Sequence, residues 1–320
     1  MIHYLVRDRH AHTMRGFLKH WAPALRAHVT VLPYEEVFRS AELPPGVHVF
    51  ADLERLRPSE RRFASELADR IAAAGARVLN HPRDGLTRHP LLCALHAAGI
   101  NRFRSHRRID PRRLRWPIFL RTEHEHDGAL TPLLHGPRDL ARALFRLARR
   151  PLALRAGLLA VEFEDTRDAA GLFRKYSVLR IGDTFLPRHI LVSRDWMLKV
   201  ADIVDASTLA AEEEFFRSVP EMDTLRKIFA LAHVDYGRID YTLHEGRLVV
   251  WEINTNPGHT PRRVRLHPLR IASQQRAVAP LIEAFLALER SATGTAAIPA
   301  FGPLDRVRTL RARLAGRLSG

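Results

Sequence analysis

The sequence predicts an α/β protein with a parallel layer in its N-terminal part and antiparallel hairpins in its C-terminal half. Three observations lead there. Over residues 1–80, short β-branched runs alternate with stretches of helical spacing, the pattern of a parallel sheet built from crossover units. Residues 173–192 and 238–254 each repeat apolar side chains at every second position around a glycine-containing turn, which is the signature of a hairpin. A chain of 320 residues with 46% hydrophobic content is globular and can bury two or three domains or lobes.

In order along the chain, residues 2–6 read as a first strand. Residues 14–28 carry Phe17, Leu18, Trp21 and Leu25 at helical spacing. Residues 29–32 and 47–51 are short β-branched runs. Ser59-Glu60 opens a helix with Phe63, Leu67 and Ile71 on its apolar face, Gly75 closes it, and residues 76–79 form the next strand. Asn80-His81-Pro82 ends that strand, residues 88–98 are helical, and Gly99-Ile100 stops the helix. Residues 115–128 hold a strand and a loop whose lone glycine is Gly128. Residues 137–150 form a helix with Leu140, Leu144 and Leu147 on one face, and residues 154–163 are an apolar strand ending in acids. Residues 173–181 and 185–192 flank Gly182-Asp183-Thr184 as a hairpin, residues 208–218 and 224–232 are helices, and residues 273–288 are a closing helix. Residues 291–302 read as a linker. Leu304, Val307, Leu310, Leu314 and Leu318 recur among arginines as a basic amphipathic helix that packs onto the body, an acidic partner or membrane face being the other reading.

Composition narrows the function classes. The net charge is +16, which by itself suggests an acidic partner. Of 51 basic residues, however, only Lys19, Lys175, Lys199 and Lys227 are lysine. The arginines are scattered along the chain, with no interleaving of basic and aromatic residues, so nucleic acid is not the expected partner. No run of 18 apolar residues occurs, so no membrane span is expected, and the N-terminus does not read as a signal peptide. A single cysteine, Cys93, makes no disulfide framework and suits a reducing cytoplasm; it sits in an apolar run and reads as core. Neither G-x-G-x-x-G nor G-x(4)-G-K-[ST] is present, so dinucleotide and P-loop sites of the usual kind are excluded.

The chemistry concentrates in residues 237–261. Asp240 lies on one strand, and Glu252 and Asn254 lie two apart on the returning strand, facing one side. Folding the hairpin gathers three oxygen ligands, which suits a hard divalent cation such as Mg²⁺ that also takes the phosphates of a nucleotide.

The pattern D-x(11)-E-x-N-x-N-P-G resembles the metal-binding strands of the ATP-grasp superfamily. Arg238-x-Asp240 followed by E-x-N-T-x-P-G is most similar to its D-alanine–D-alanine ligase and glutathione synthetase branches. The resemblance covers about residues 78–290. It implies an ATP-grasp fold, with an N-terminal α/β domain over 1–80, a central lobe over 81–160, a C-terminal lobe with the metal hairpin over 161–290, and a basic linker and tail over 291–320; the two lobes sandwich the nucleotide. It implies Asp240, Glu252 and Asn254 as Mg²⁺ (or Mn²⁺) ligands, Arg238 as a transition-state cation and the Gly258 N–H as an oxyanion donor. Arg88 and Arg121 stand where the family usually has phosphate-binding lysines. Arg can hold phosphate through two parallel bonds but is not equivalent to Lys, and a loop with one glycine is an unusual phosphate cradle. Glu162 and Phe163 are expected at the adenine edge, Asp165 or Glu164 at the ribose, Lys175 at the triphosphate, and Arg262 and Arg263 at an anionic substrate. His124 and His126 read as surface histidines, Trp196 as core, and Glu212, Glu213 and Glu214 as a solvated face.

The function implied is ATP-dependent coupling of a carboxylate to an amine through an acyl phosphate, with small-molecule substrates or an acidic peptide as partners. A dimer is compatible with the sequence. A kinase of the same fold acting on a hydroxyl, or a non-catalytic nucleotide- or nucleic-acid-binding module, are the alternatives.

Overall fold

The computed structural model describes residues 1–149, 157–199, 201–259, 267–294 and 296–301. Strands β1 (Ile2–Val6), β2 (Val29–Pro33), β4 (Val47–Phe50) and β5 (Val78–Leu79) form a parallel sheet of order β2-β1-β4-β5. All of β1 is buried, because helices cover a parallel sheet on its faces and its strands carry apolar residues on both sides. Helix α1 (His12–His20) follows β1, and α3 (Pro58–Ala73) follows β4. The periodicity over 14–28 is therefore split: α1 stops at His20 and a 3-10 turn at Pro23–Ala27 completes the segment. Pro23 supplies the break, since proline cannot donate to a continuing helix.

Strands β6 (Ser105–His106), β7 (Ile118–Thr122) and β8 (Leu158–Glu162) make an antiparallel sheet of order β6-β8-β7, packed against α5 (Pro137–Ala148). The larger sheet joins β9 (Phe173–Ile181), β10 (Thr184–Ser193), β11 (Tyr236–His244) and β12 (Arg247–Asn254) in the order β10-β9-β11-β12, antiparallel throughout. Helices α4 (Arg88–Ala97), α6 (Ala206–Arg217) and α7 (Met222–Leu231) bury it in one core with the central sheet, through Leu91, Leu95, Phe215 and Phe229.

Several expectations change. The closing helix is two, α8 (Ile271–Arg276) and α9 (Val278–Arg290), and α9 packs Leu281, Phe285 and Leu288 onto β1 and α1. Residues 291–302 are more than a linker: Ile298–Pro299 pairs antiparallel with Glu42–Leu43, burying Ile298 and Phe301. Glu212 is buried, held by Arg270 and by Ser273 at 3.1 Å; an acid can occupy a core position when its charge is paired. Cys93 is exposed rather than core, because Leu91, Leu92 and Leu95 take the buried side of α4. The tail expected to be amphipathic lies outside the described residues, as do Arg262, Arg263 and positions 154–156 of the apolar strand.

Candidate active site

Pairing in the large sheet aligns one transverse row. His189 lies opposite Ser177, Ser177 opposite Asp240, and Asp240 opposite Glu252. Directly opposed residues on neighbouring strands project to the same side, so two carboxylates and two hydrogen-bonding side chains share one face. Arg238 and Asn254, the next facing pair, extend it. A β-bulge between Asp240 and Tyr241 shifts the register: Tyr241 lies opposite Val250, so Trp251 is the extra residue and Asp240 falls opposite Glu252.

Asp240 is buried and held by cations and a hydroxyl. Arg238 Nε donates to Oδ1 at 2.9 Å, Lys175 Nζ stands 3.1 Å from Oδ2, and Ser177 Oγ donates to Oδ1 at 2.8 Å. Burial pushes the carboxyl up, but Arg238 and Lys175 outweigh it and hold it far below the usual carboxylate range. Glu252 is ringed similarly. Arg88 makes an ion pair with Oε2, Arg121 Nη2 stands 3.5 Å away, and His126 Nδ1 lies 3.5 Å from Oε1. Against burial, these charges hold Glu252 well down. Arg121 in turn is pushed down to about 10, first by burial and then by Arg88 beside it.

These groups open on one cleft between the central and C-terminal sheets. Arg121, Lys175, Lys199, Asp240 and Glu252 line its charged end; Phe119, Phe163, Phe173, Trp196 and Trp251 line its apolar end, with Glu164 and Thr166 beside them. Trp196 is thus a cleft residue, tilted against Phe119 and edge-on to Phe163. Lys199 was not singled out by the sequence, although it is one of only four lysines. Its ammonium donates to the carbonyl of His126, and it is pushed down to about 8 by partial burial first and then by Arg121, Lys175 and Arg88, against the pull of Glu252. Four basic side chains on the lining, Arg121, Arg174, Lys175 and Lys199, with Arg88 and Arg238 behind it, stand against three lining carboxylates, Glu164, Asp240 and Glu252. The surplus is positive, as a polyphosphate requires.

The other expected residues fall as follows. Arg88 is buried, not solvent-facing; besides Glu252 it donates to the carbonyls of Glu123 at 2.6 Å and Glu125 at 2.9 Å, so it also braces the loop after β7. The N–H groups of Glu162 and Phe163 donate to the carbonyls of Arg104 and Pro117, and the Glu162 carboxylate accepts from His106. Asp165 is ion-paired with Arg167 in an adjoining hollow, whereas Glu164 lines the cleft. Gly258 is exposed, and its carbonyl accepts from Arg238 at 3.4 Å. Asn254 Oδ1 accepts from the Asn256 N–H at 2.8 Å. Among the described residues no three His, Cys, Asp or Glu side chains form a metal-ligand group. The donor set is two ionised carboxylates with one amide oxygen, which fits Mg²⁺, since that ion takes one or two carboxylates and completes its shell with water and phosphate.

The loop after β7 is a strap. His126 Nε2 donates to Glu54 Oε1 at 2.5 Å, and Arg55 Nε donates to Glu125 at 2.9 Å, tying the loop to the N-terminal domain. Glu54 also accepts from Thr255 Oγ1 at 2.6 Å, and Tyr4 donates to Asn256 Oδ1 at 2.9 Å. His126 is therefore no surface histidine but the link between two carboxylates. Burial pushes Glu54 up, yet the His126 and Thr255 hydrogen bonds and Arg55 hold it at about 2, below its ordinary 4.5. Burial alone would lower His126; Glu252 and Glu54 raise it above 6.5. The stability contributed by Glu54 is complete above pH 4.5 and is lost as pH falls towards 2. That contributed by His126 is complete below 6.5 and is lost as pH rises through its raised value. Melting temperature measured against pH should thus form a plateau with both shoulders, and His126→Gln should lose the alkaline one.

No family model and no curated protein matches the sequence. Solved structures do match the fold. A D-alanine–D-alanine ligase from Bacillus anthracis, complexed with ATP, is similar with a TM-score of 0.50 and 12% identity over 90% of this chain and 98% of its own. One from Coxiella burnetii gives 0.51 and 10% identity, over 90% and 94%. The ATP-grasp ligase PsnB, complexed with a variant of its minimal precursor, Mg and ADP, gives 0.50 and 15%, over 90% and 97%. The fold is the ATP-grasp fold expected from the hairpin.

Proposed function

We propose that this ATP-grasp chain is an ADP-forming carboxylate–amine ligase that works through an acyl phosphate. The observation that carries the reading is the cleft's polarity: surplus basic side chains around Asp240 and Glu252 at one end, an aromatic wall at the other. A nucleoside triphosphate has the matching division into a charged tail and a flat base. The ATP named with the Bacillus anthracis ligase and the Mg and ADP named with PsnB support the same assignment.

The residues divide the work. Phe163, Trp196 and Trp251 would flank the base. Glu164 and Thr166, rather than the engaged N–H groups of Glu162 and Phe163, would read its edge and the ribose. Arg121, Lys175 and Lys199 would hold the phosphates, with Arg88 keeping the strap in place. Asp240, Glu252 and Asn254 would hold Mg²⁺, which when bound supplies charge neutralisation across the phosphate oxygens. Phosphoryl transfer needs little more than positioning and such neutralisation. A substrate carboxylate oxygen attacks the γ-phosphorus and ADP leaves; an amine then attacks the acyl carbon, the C–O bond breaks and inorganic phosphate leaves. Arg238 and the Gly258 N–H are the candidate donors to the oxyanion that forms, and one such donor is worth about 3–4 kcal/mol.

The test uses carboxylates labelled with ¹⁸O, screened with amino acids and short peptides as amines. A ligase transfers one labelled oxygen into inorganic phosphate and releases ADP only with both partners present. Transfer of phosphate to a hydroxyl, without label in the released phosphate, would make the protein a kinase instead.

A further inference from the structure

The ligase reading leaves one step without a residue: the attacking amine must shed a proton. We infer that His10 is the base that takes it, positioned by Asp52; this rests on the ligase reading above. The two residues come from different strands. His10 follows β1, and Asp52 follows β4. In the order β2-β1-β4-β5, the chain leaves β1 towards β2 on one side and leaves β4 towards β5 on the other. The gap between the carboxyl ends of β1 and β4 is therefore where the winding reverses, the position at which open parallel sheets bind ligands.

The hydrogen bonds define the imidazole. Arg9 Nε donates into Nε2 at 3.0 Å, so Nε2 carries the lone pair. Nδ1–H donates to Asp52 Oδ2 at 2.7 Å. Asp52 is fully buried, also accepts from Arg55 at 2.6 Å, and holds a left-handed backbone with φ of 60°. A non-glycine residue rarely takes that conformation, and it persists where the surroundings fix it. A buried carboxylate fixing one imidazole nitrogen while the other keeps its lone pair towards an accessible side is the arrangement of a general base. Arg9, whose side chain is 68% exposed, is the partner of Nε2 among the described residues and can be displaced by substrate.

The dyad is also tied to the segment that follows Asn254 and to the loop after β7. The Asn256 amide, two residues past Asn254, donates to the His10 carbonyl at 3.3 Å, and Thr13 Oγ1 donates to Asn256 Oδ1 at 2.7 Å. Arg9 and Arg55 both reach Glu125 of that loop. In the step assigned, the amine lone pair forms the C–N bond to the acyl carbon. The C–O bond to phosphate breaks, and phosphate leaves with that electron pair. The proton lost by nitrogen passes to His10 Nε2, and the imidazolium rests against the Asp52 carboxylate before release to water.

Hydroxylamine separates this role from the phosphoryl step, because it is unprotonated at neutral pH and traps acyl phosphates without a base. Wild type, His10→Gln and Asp52→Asn would be assayed with the amino acids of both hands and their dipeptides as carboxylates, with either the same compounds or hydroxylamine as acceptor. The expected result is loss of amide formation by about 100-fold or more in His10→Gln, a smaller loss in Asp52→Asn, hydroxamate formation within a few-fold of wild type in both, and recovery of amide formation in His10→Ala with added 4-methylimidazole. Equal loss of amide and hydroxamate without that recovery, or amide formation at the wild-type rate in His10→Gln, overturns the assignment. Wild type that forms no hydroxamate from any carboxylate overturns the ligase reading itself.

Discussion

Glu252→Gln is expected to stop ATP turnover, by about 1,000-fold or more, and to destabilise the free protein at the same time. The first effect follows from charge. Neutralising Glu252 removes one of the two carboxylates proposed to hold Mg²⁺, and with it charge neutralisation across the phosphates, on which phosphoryl transfer depends. The second follows from its partners. Arg88 is buried, and Arg121 and His126 also face this carboxylate. Breaking a buried pair by removing one member typically costs about 3–5 kcal/mol, because the remaining charge is left uncompensated. A polyanion should refill the place of the lost charge, so added pyrophosphate should raise the melting temperature of Glu252→Gln more than that of wild type. Turnover assays with thermal melts check both effects.

The largest effect on stability alone is expected at Asn80. Its amide donates to the carbonyls of Phe50 at 3.2 Å and Tyr236 at 2.7 Å, and its Oδ1 accepts from the N–H groups of Asp235 at 2.8 Å and Tyr236 at 2.9 Å. One fully buried side chain thus joins the end of β4 to the start of β11 and closes the parallel sheet onto the β11–β12 hairpin. Asn80 also has φ of 58°, a region asparagine tolerates better than alanine. Asn80→Ala strands buried backbone groups and adds backbone strain, for a loss of about 3–5 kcal/mol. At about 2–4 °C per kcal/mol for a chain somewhat shorter than this one, the melting temperature should fall by roughly 10 °C. Asn80→Asp, which keeps the acceptor and loses the donor, should fall between.

The hairpin was legible because its information is local. Alternation over residues 238–254 gives strands, and the turn gives the register as far as Tyr241 opposite Val250; the bulge that follows, which is not legible in the alternation, is what places Asp240 opposite Glu252 rather than Trp251. The parallel layer was legible for the same reason, its β-branched runs being short and regularly spaced. What the sequence did not show depends on distant partners. Thr255 and Asn256 read as part of a metal motif, yet they also dock onto Glu54, Leu53 and Tyr4, more than 200 residues away. His126 read as a surface residue because nothing nearby in sequence announces its carboxylates, and Glu212 read as solvated because Arg270 comes 58 positions later. Lys199 did carry a signal, the scarcity of lysine in this chain. Asp165 and Glu164 were equivalent by position; only the strand's end decides that Glu164 faces the cleft.

The central claim is that Asp240 and Glu252 jointly face the phosphates of a bound nucleotide. It is tested most directly by a crystal structure of the protein with Mg²⁺ and a non-hydrolysable ATP analogue. The account requires an ion at about 2.0–2.1 Å from oxygens of both carboxylates, with the phosphates against Arg121, Lys175 and Lys199 and the base between Phe163 and Trp251. An analogue bound elsewhere, or phosphates in the cleft while both carboxylates keep only their arginine and lysine partners, would contradict it.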